Sequence, residues 1–312
     1  MRPVALGARD ALVECQWQFK FERWNCTPRA TADTHPTDLF QPTLEEGNKE
    51  AAFLSAITAA GVVQAVTKAC SSGNLSDCSC NSNPYASPRF HSGLEAMRGG
   101  GGAGEKWTWG GCSDDVGYGI RFSRRFLDRP EKTAHKEEPH ARHLVNLHNY
   151  EVGRRTMEKG LKRQCRCHGV SGGCDFKTCW LQMGKFSDVG TAIKHRYDHL
   201  AVMVTKRVRK RLRRRERSER KIPIRVDELV YLSKSPNYCD ADGGSGILGT
   251  SGRECNGTGS VLRADSCEAL CCGRGFRSQQ ILRSEKCHCK FVWCCHVKCK
   301  TCTSLHQLTT CR

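Results

Sequence analysis

The sequence predicts an α+β, disulfide-rich protein: an N-terminal α-helical domain with cysteine-stapled hairpins, followed by a small C-terminal β domain held by cysteines. Three observations predict it. Segments with apolar residues at every third or fourth position fill much of the chain before residue 204. Cysteine is far above ordinary usage, with 22 in 312 residues, an even number. Ten of these cysteines are scattered over residues 1–200, whereas twelve crowd into 239–312 with few apolar residues between them. A tail so poor in apolar side chains must be held mainly by cross-links. Free thiols in that number would be a liability, so an oxidising, secretory route is the economical reading.

Each element has its own warrant. KEAAFLSAITAAGVVQAVTKAC (49–70) is Ala-rich, apolar on most faces and meets Gly73 just past its end, which predicts a buried core helix. Its most apolar stretch, Ala51 to Val66, is interrupted by Ser55, Thr58 and Gln64 and is too short to span a bilayer. HARHLVNLHNYEVGRRTMEKGLKRQC (140–165) places Leu144, Leu147, Val152 and Met157 along an approximate stripe. KFSDVGTAIKHRYDHLAVMV (185–204) does the same with Phe186, Val189, Ile193, Tyr197 and Leu200. RGGGGAGEKWTWGGC (98–112) reads as a flexible loop and then a tight turn around Trp107 and Trp109. Residues 1–204 thus form the helical domain, with a hairpin at 165–179.

TKRVRKRLRRRERSERK (205–221) holds eleven Lys or Arg and two Glu, so 205–226 reads as a basic linker. The remainder, 227–312, is the cysteine-rich domain. There ILRSEKCHCKFVWCCHVKCKTC (281–302) alternates cysteine with other residues, as in cross-linked hairpins. The two-residue spacing of Cys287 and Cys289 puts both on one strand face. A net charge of +18 predicts acidic partners: nucleic acid, acidic glycans or an anionic membrane face. Nucleic acid is a poor fit beside 22 cysteines. Sequons at Asn25, Asn74 and Asn256 suit a secreted chain. The start, MRPVALGARDALVEC, sets Arg9 and Asp10 where a leader's apolar core would lie, so the signal peptide is expected upstream of, or lost from, this start.

CRCHGVSGGC (165–174) poses the functional question. Gly169 to Gly173 satisfies G-x-S-x-G, the pattern of a serine hydrolase. A nucleophile elbow, however, needs a buried apolar strand leading into the serine, and LKRQCRCH is charged. Cys165, Cys167, His168 and Cys174 resemble a metal set, as do His288 and His296 with the tail cysteines. Zinc sites favour paired C-x₂₋₄-C motifs, and an oxidising compartment removes the thiolates, so no metal is expected. His140, His143 and His148 read as surface or packing residues. If Cys167 pairs with Cys174 and Cys165 with Cys179, two bridges nest around HGVSGG. Gly169, Gly172 and Gly173 would then allow the positive φ angles of a tight tip, presenting the Ser171 hydroxyl to a modifying enzyme.

CRCHGVSGGCDFKTCW resembles the signature of the Wnt family of secreted signalling proteins. ECQWQFKFERWNCT (14–27), AFLSAITAAGVVQAVTKACSSG (52–73), WTWGGCSDD (107–115) and LVNLHNYEVGR (144–154) resemble Wnt segments in Wnt order. So do DELVYLSKSPNYC (227–239), GTSGREC (249–255), LCCGRG (270–275) and CHCKFVWCC (287–295). The resemblance runs from about residue 5 to the end. It implies a morphogen in Wnt signalling, not an enzyme and with no cofactor. Ser171 would carry a covalent palmitoleate added by the acyltransferase Porcupine. Expected partners are the Wntless carrier, Frizzled receptors, low-density-lipoprotein-receptor-related co-receptors and heparan sulfate proteoglycans, in the extracellular space and matrix. Membrane contact would come through the lipid alone.

The lipid hairpin would act as a thumb in a groove of the Frizzled cysteine-rich domain. The tail would act as an index finger (287–299), its tip made of Phe291, Val292, Trp293, Cys294, Cys295 and Val297. The implied bridges are Cys15–Cys26, Cys70–Cys78, Cys80–Cys112, Cys165–Cys179 and Cys167–Cys174 in the first domain. In the second they are Cys239–Cys272, Cys255–Cys267, Cys271–Cys311, Cys287–Cys302, Cys289–Cys299 and the vicinal Cys294–Cys295. The chain departs from the family where Gly173 replaces a second serine and where FVWCC replaces FHWCC, which makes Val292 a candidate determinant of receptor preference. The Gly-rich insert at 99–104 and the basic linker are also unusual.

Overall fold

The computed structural model describes residues 2–27, 46–81, 107–137, 140–207, 211–243, 247–257 and 265–312. The Gly-rich insert lies outside them. Two compact units emerge: Met1–Gln18 with Pro28–Ser235, and Phe19–Thr27 with Pro236–Arg312. The expected boundaries at 204 and 227 therefore move, and the basic run falls inside the first unit.

That unit contains helices α1 (Arg2–Gln18), α2 (Lys49–Ser71) and α3 (Val116–Ser123), then a π-helical segment Arg124–Asp128 leading into α4 (Arg129–Glu137). Helices α5 (Ala141–Lys159) and α6 (Phe186–His199) complete it. The Asn48 side chain caps α2 by accepting from the Ala51 amide at 2.9 Å. At the other end Gly73 turns out at φ +69° while Asn74 N–H bonds back to Ala69 at 2.9 Å. Seventeen of the 23 residues of α2 are buried, so its apolar surface faces protein all round, and a helix long enough to cross a membrane serves as the core.

Small residues set how closely its neighbours approach. A Cβ on Gly7 of α1 would lie 2.4 Å from the Gly61 carbonyl oxygen, and one on Gly119 of α3 would lie 2.3 Å from Thr67 Oγ1. On Gly153 of α5 it would lie 1.9 Å from the Ala56 carbonyl oxygen. That neighbour is backbone and cannot rotate away. Gly153→Ala is therefore expected to cost about 1–3 kcal/mol by forcing α5 off α2. The urea midpoint of the disulfide-intact protein reads this directly, and an unchanged midpoint would refute it.

The predicted helix 185–204 ends early, at His199. Ala201–Arg207 is instead strand β4, which suits the β-branched Val202 and Val204. It pairs antiparallel with β5 (Arg211–Arg214) and parallel with β6 (Leu229–Tyr231). The linker reading thus fails at residues 205–207 and 211–214. The cause is alternation: Arg211 and Arg213 point to solvent, while Leu212 and Arg214 point inward. Arg214, 8% exposed, donates to both oxygens of buried Glu228 at 2.7 and 2.8 Å. On the far side Asn149 of α5 mimics a strand, donating to the Val230 carbonyl at 2.9 Å and accepting from its N–H at 3.0 Å.

A second sheet orders β1 (Trp107–Trp109), β3 (Lys177–Met183) and β2 (Leu161–Cys167). The expected tight turn at Trp107 and Trp109 is in fact this first strand, parallel to β3. In the second unit the short helix α7 (Cys267–Leu270) sits in a core of Cys255, Cys267, Leu270, Cys271 and Cys311, so sulfur replaces aliphatic bulk. Arg253 ties residues 19–27 into this unit by donating to the carbonyls of Lys20, Glu22 and Arg23 at 3.1, 2.6 and 2.7 Å. From here a two-stranded ribbon extends, β7 (Phe276–Val292) against β8 (His296–Cys311).

Candidate functional site

Two stapled ends dominate the chemistry on offer. Strands β2 and β3 pair antiparallel from Leu161↔Met183 to Cys167↔Lys177, which puts Cys165 directly opposite Cys179. These two are bridged, with Cα atoms 4.1 Å apart, and Cys167–Cys174 closes the loop beyond them. Within that loop His168 N–H reaches the Phe176 carbonyl, and Gly169 N–H the Gly173 carbonyl, both at 2.7 Å. Gly172 N–H returns to Gly169 at 2.9 Å and Gly173 N–H to Val170 at 3.0 Å.

Ser171 sits at the apex in the left-handed region, at φ 55°, ψ 28°. Its hydroxyl is exposed and, among the described residues, makes no hydrogen bond to a base or a carboxylate. The positive φ expected of three glycines is found at one. Only Gly172 takes a positive φ, at 79°, while Gly169 and Gly173 stay at −67° and −61°. Gly169 is needed for close approach, since a Cβ there would meet the Gly173 carbonyl oxygen at 2.5 Å. Sequence reasoning overlooked two apolar side chains beside the serine, Val170 and Phe176, which are 91% and 65% exposed. The available signal was that, cysteines apart, they are the only apolar residues between Arg166 and Thr178.

The second end is the tip of the long ribbon. Phe291 pairs with Val297 and Val292 with His296, leaving Trp293, Cys294 and Cys295 as the turn. Cys294 and Cys295 take φ 70° and 93°, angles rare for residues with a Cβ. Trp293 is 90% exposed and Phe291 72%, with Val297 also exposed. Large apolar groups gathered at one exposed point mark a contact surface.

Behind the tip, the expectation that Cys287 and Cys289 share a face fails. Cys287 is bonded to Cys302 and Cys289 to Cys299. Those partners are three apart on a regular strand, hence on opposite faces. The difference is absorbed by an extra residue in β7 between Cys287 and Lys290, where His288 has φ 47°.

Twenty cysteines are disulfide-bonded, among them Cys15 and Cys26. The remaining bridges are Cys70–Cys78, Cys80–Cys112, Cys239–Cys272, Cys255–Cys267 and Cys271–Cys311. The vicinal Cys294–Cys295 bridge is not formed: both side chains are free and exposed, with Sγ atoms in contact at 3.3 Å. Neighbouring Cβ atoms diverge in extended chain, and the left-handed turn brings these two only into hydrogen-bonding contact. That contact holds the Cys295 thiol above its ordinary pKa.

Metal chemistry finds no thiolate in the clustered sets. Cys255, Cys271 and Cys311 converge, as do Cys287, His288 and Cys302, but every sulfur among them is already in a disulfide. His148 donates from Nε2 to the Glu228 carbonyl at 2.8 Å, and burial lowers its pKa, so it packs as a neutral ring. Asn74 lies exposed beyond α2, and Asn25 accepts from the Thr27 hydroxyl at 2.8 Å. Asn256 is half-buried, bonding from its N–H to Asp265 at 2.8 Å.

A serine apex and a tryptophan turn, each held out on a cross-linked ribbon, define a presentation scaffold that offers side chains to other molecules. The Wnt family profile matches residues 1–312. The chain is 45% identical to Wnt-16 of Bos taurus over 98% of its length, covering 80% of that protein. It is 41% identical to Wnt-5a of Homo sapiens over its full length, covering 77% of that protein. A solved complex of human WLS with WNT8A aligns at a TM-score of 0.69 and 34% identity, over all of this chain and 93% of the other. The chain belongs to the Wnt family, whose members are signalling ligands.

Proposed function

We propose that this protein is a secreted Wnt morphogen, acylated with palmitoleate on Ser171 and read through that lipid by the cysteine-rich domain of a Frizzled receptor. The observation that carries the reading is the exposed, unpartnered Ser171 hydroxyl at the apex of a loop closed by two bridges. A rigid loop of this kind lets an acyltransferase such as Porcupine reach the oxygen, and later holds the chain end away from the protein body. Exposed Val170 and Phe176 continue the apolar surface of the lipid. A carrier of the Wntless type follows from the solubility problem. About 14 CH₂ equivalents at ~0.8 kcal/mol each favour any groove that hides them by on the order of 10 kcal/mol.

The tip Phe291, Val292, Trp293, Cys294, Cys295 and Val297 forms the second receptor contact. Co-receptors of the low-density-lipoprotein-receptor-related class and heparan sulfate complete the partner set, with glycans on Asn25, Asn74 and Asn256. Intact mass of the secreted protein tests the central claim: one C16:1 acyl adduct supports it. Labelling of an unacylated Ser171 by a fluorophosphonate would instead establish a hydrolase.

Trp293→Ala tests the second contact. An exposed aromatic that becomes an interface anchor is worth about 2–4 kcal/mol, so affinity for the Frizzled domain is expected to fall by about 30-fold or more. The acyl adduct should be unchanged. Equal affinity would remove the turn from the interface.

A further inference from the structure

The strand that replaces the expected linker builds a groove that neither stapled end uses. Beyond β5 the chain turns and comes back along Arg220, Lys221, Ile222, Pro223 and Ile224. Together with Arg211, Leu212 and Arg213 of β5, and Leu144 and His148 of α5, these residues line a cavity of about 470 Å³. That volume lies in the range of sites for small organic ligands.

The lining has two chemistries. Arg211, Arg213, Arg220 and Lys221 are exposed, and among the described residues none of the four makes an ion pair. Among the described residues, no carboxylate lines the cavity. Of the acids around it, Glu219 and Glu228 pair with Arg214 and Asp227 with Arg225, while Glu216 is exposed and lies outside the lining. Four like charges around one space repel each other, and an anion between them relieves that cost. The rest of the lining is aliphatic. Leu212 and Ile224 pack onto the core residues Val145, Val204 and Val230, with Leu144 half-buried beside them, while Ile222 stays 51% exposed at the edge. His148 contributes no charge, because burial holds it neutral.

A polyanion lying flat would satisfy the cations and leave this aliphatic floor wet. We propose that the groove binds a single-chain anionic amphiphile, its aliphatic body over Leu144, Leu212, Ile222 and Ile224 and its phosphate or sulfate head among Arg211, Arg213, Arg220 and Lys221. The ligand is taken as a free monomer, because about 470 Å³ has room for one chain.

The test uses the full chain as Ser171→Ala, so that no covalent lipid competes, titrated calorimetrically with monomeric oleoyl lysophosphatidate. The expected result is saturable one-to-one binding, with glycerol phosphate and monoolein each weaker by about tenfold or more. Arg211→Glu with Lys221→Glu should weaken lysophosphatidate by about tenfold or more. Ile222→Ser should weaken lysophosphatidate but leave glycerol phosphate unchanged. All three positions are exposed, and an unaltered far-UV spectrum confirms that the variants fold. Two results overturn the proposal. One is a heparin oligosaccharide binding as tightly as lysophosphatidate and insensitive to Ile222→Ser, which would make the surface a glycan site. The other is binding only to anionic vesicles and not to monomer, which would make it a membrane patch.

Discussion

Ser171→Ala is expected to abolish the acyl adduct and to lower affinity for a Frizzled cysteine-rich domain by a thousandfold or more. The estimate rests on the lipid. If only half of the ~10 kcal/mol transfer term is realised on binding, the loss is about 5 kcal/mol, roughly three to four powers of ten in affinity. The fold should not suffer. Ser171 is exposed, its side chain holds nothing else in place, and the loop is closed by Cys167–Cys174 whatever the side chain at its apex. The stability of purified Ser171→Ala should therefore match that of the acylated form. Wild-type affinity in the variant would mean that the protein surface, and not the acyl chain, carries recognition.

Arg154→Met is expected to be the most damaging substitution to the fold itself. Arg154 is 1% exposed and donates to both oxygens of Asp128, at 2.9 and 3.3 Å, and to Glu151 at 3.0 Å. Removing it leaves the Asp128 carboxylate, 6% exposed, with only the long contact to exposed Lys132 at 3.8 Å, which costs up to about 3–5 kcal/mol. Arg154→Met with Asp128→Leu should recover much of that loss, because the charge no longer needs a partner. Denaturant midpoints of the two variants decide the point. Equal values would place the damage in packing rather than in the orphaned charge.

The same network predicts a pH effect. Burial pushes Glu151 up, but Arg124, Arg154 and Arg155 outweigh it and hold its pKa at about 2. In the unfolded chain the group titrates near the ordinary ~4.3, so its folded-state pKa is depressed. Its stabilising contribution is present above that value and is lost as pH falls toward about 2. Arg154→Met should therefore raise the midpoint of acid unfolding.

Much of this was legible before any coordinates. The apolar run 49–70 is the buried α2, and the helix expected around Leu144 to Met157 is α5, although its buried side carries Val145, Asn149, Val152 and Met157 and leaves Leu144 and Leu147 half-buried. Other features left weaker traces. The run 205–221 looked like a linker because counting charges does not reveal alternation, and only pairing with β4 turns Arg214 toward Glu228. The bulge at His288 had a trace that was missed: C-x-C on one strand faces C-x₂-C on the other, and unequal spacings cannot both be regular. Of the glycines of the serine loop, Gly172 has the positive φ expected of it, whereas Gly169 and Gly173 do not. Close packing of backbone, as at Gly169 and Gly153, has no local signature, since it depends on what arrives from elsewhere.

By itself, then, the sequence determined the covalent and chemical inventory: an even set of cysteines, one serine framed by them, an aromatic turn and a surplus of cations. These follow from composition and short-range period, which the backbone expresses residue by residue. Only the tertiary structure decided which side chains those residues present. Strand register turned Arg214 inward and left Arg211 and Arg213 facing out, an extra residue set Cys287 and Cys289 on opposite faces, and Cys294 and Cys295 came into contact without bonding. Facing is a long-range property: it is set by the partner strand or helix, and a shift of one residue reverses it.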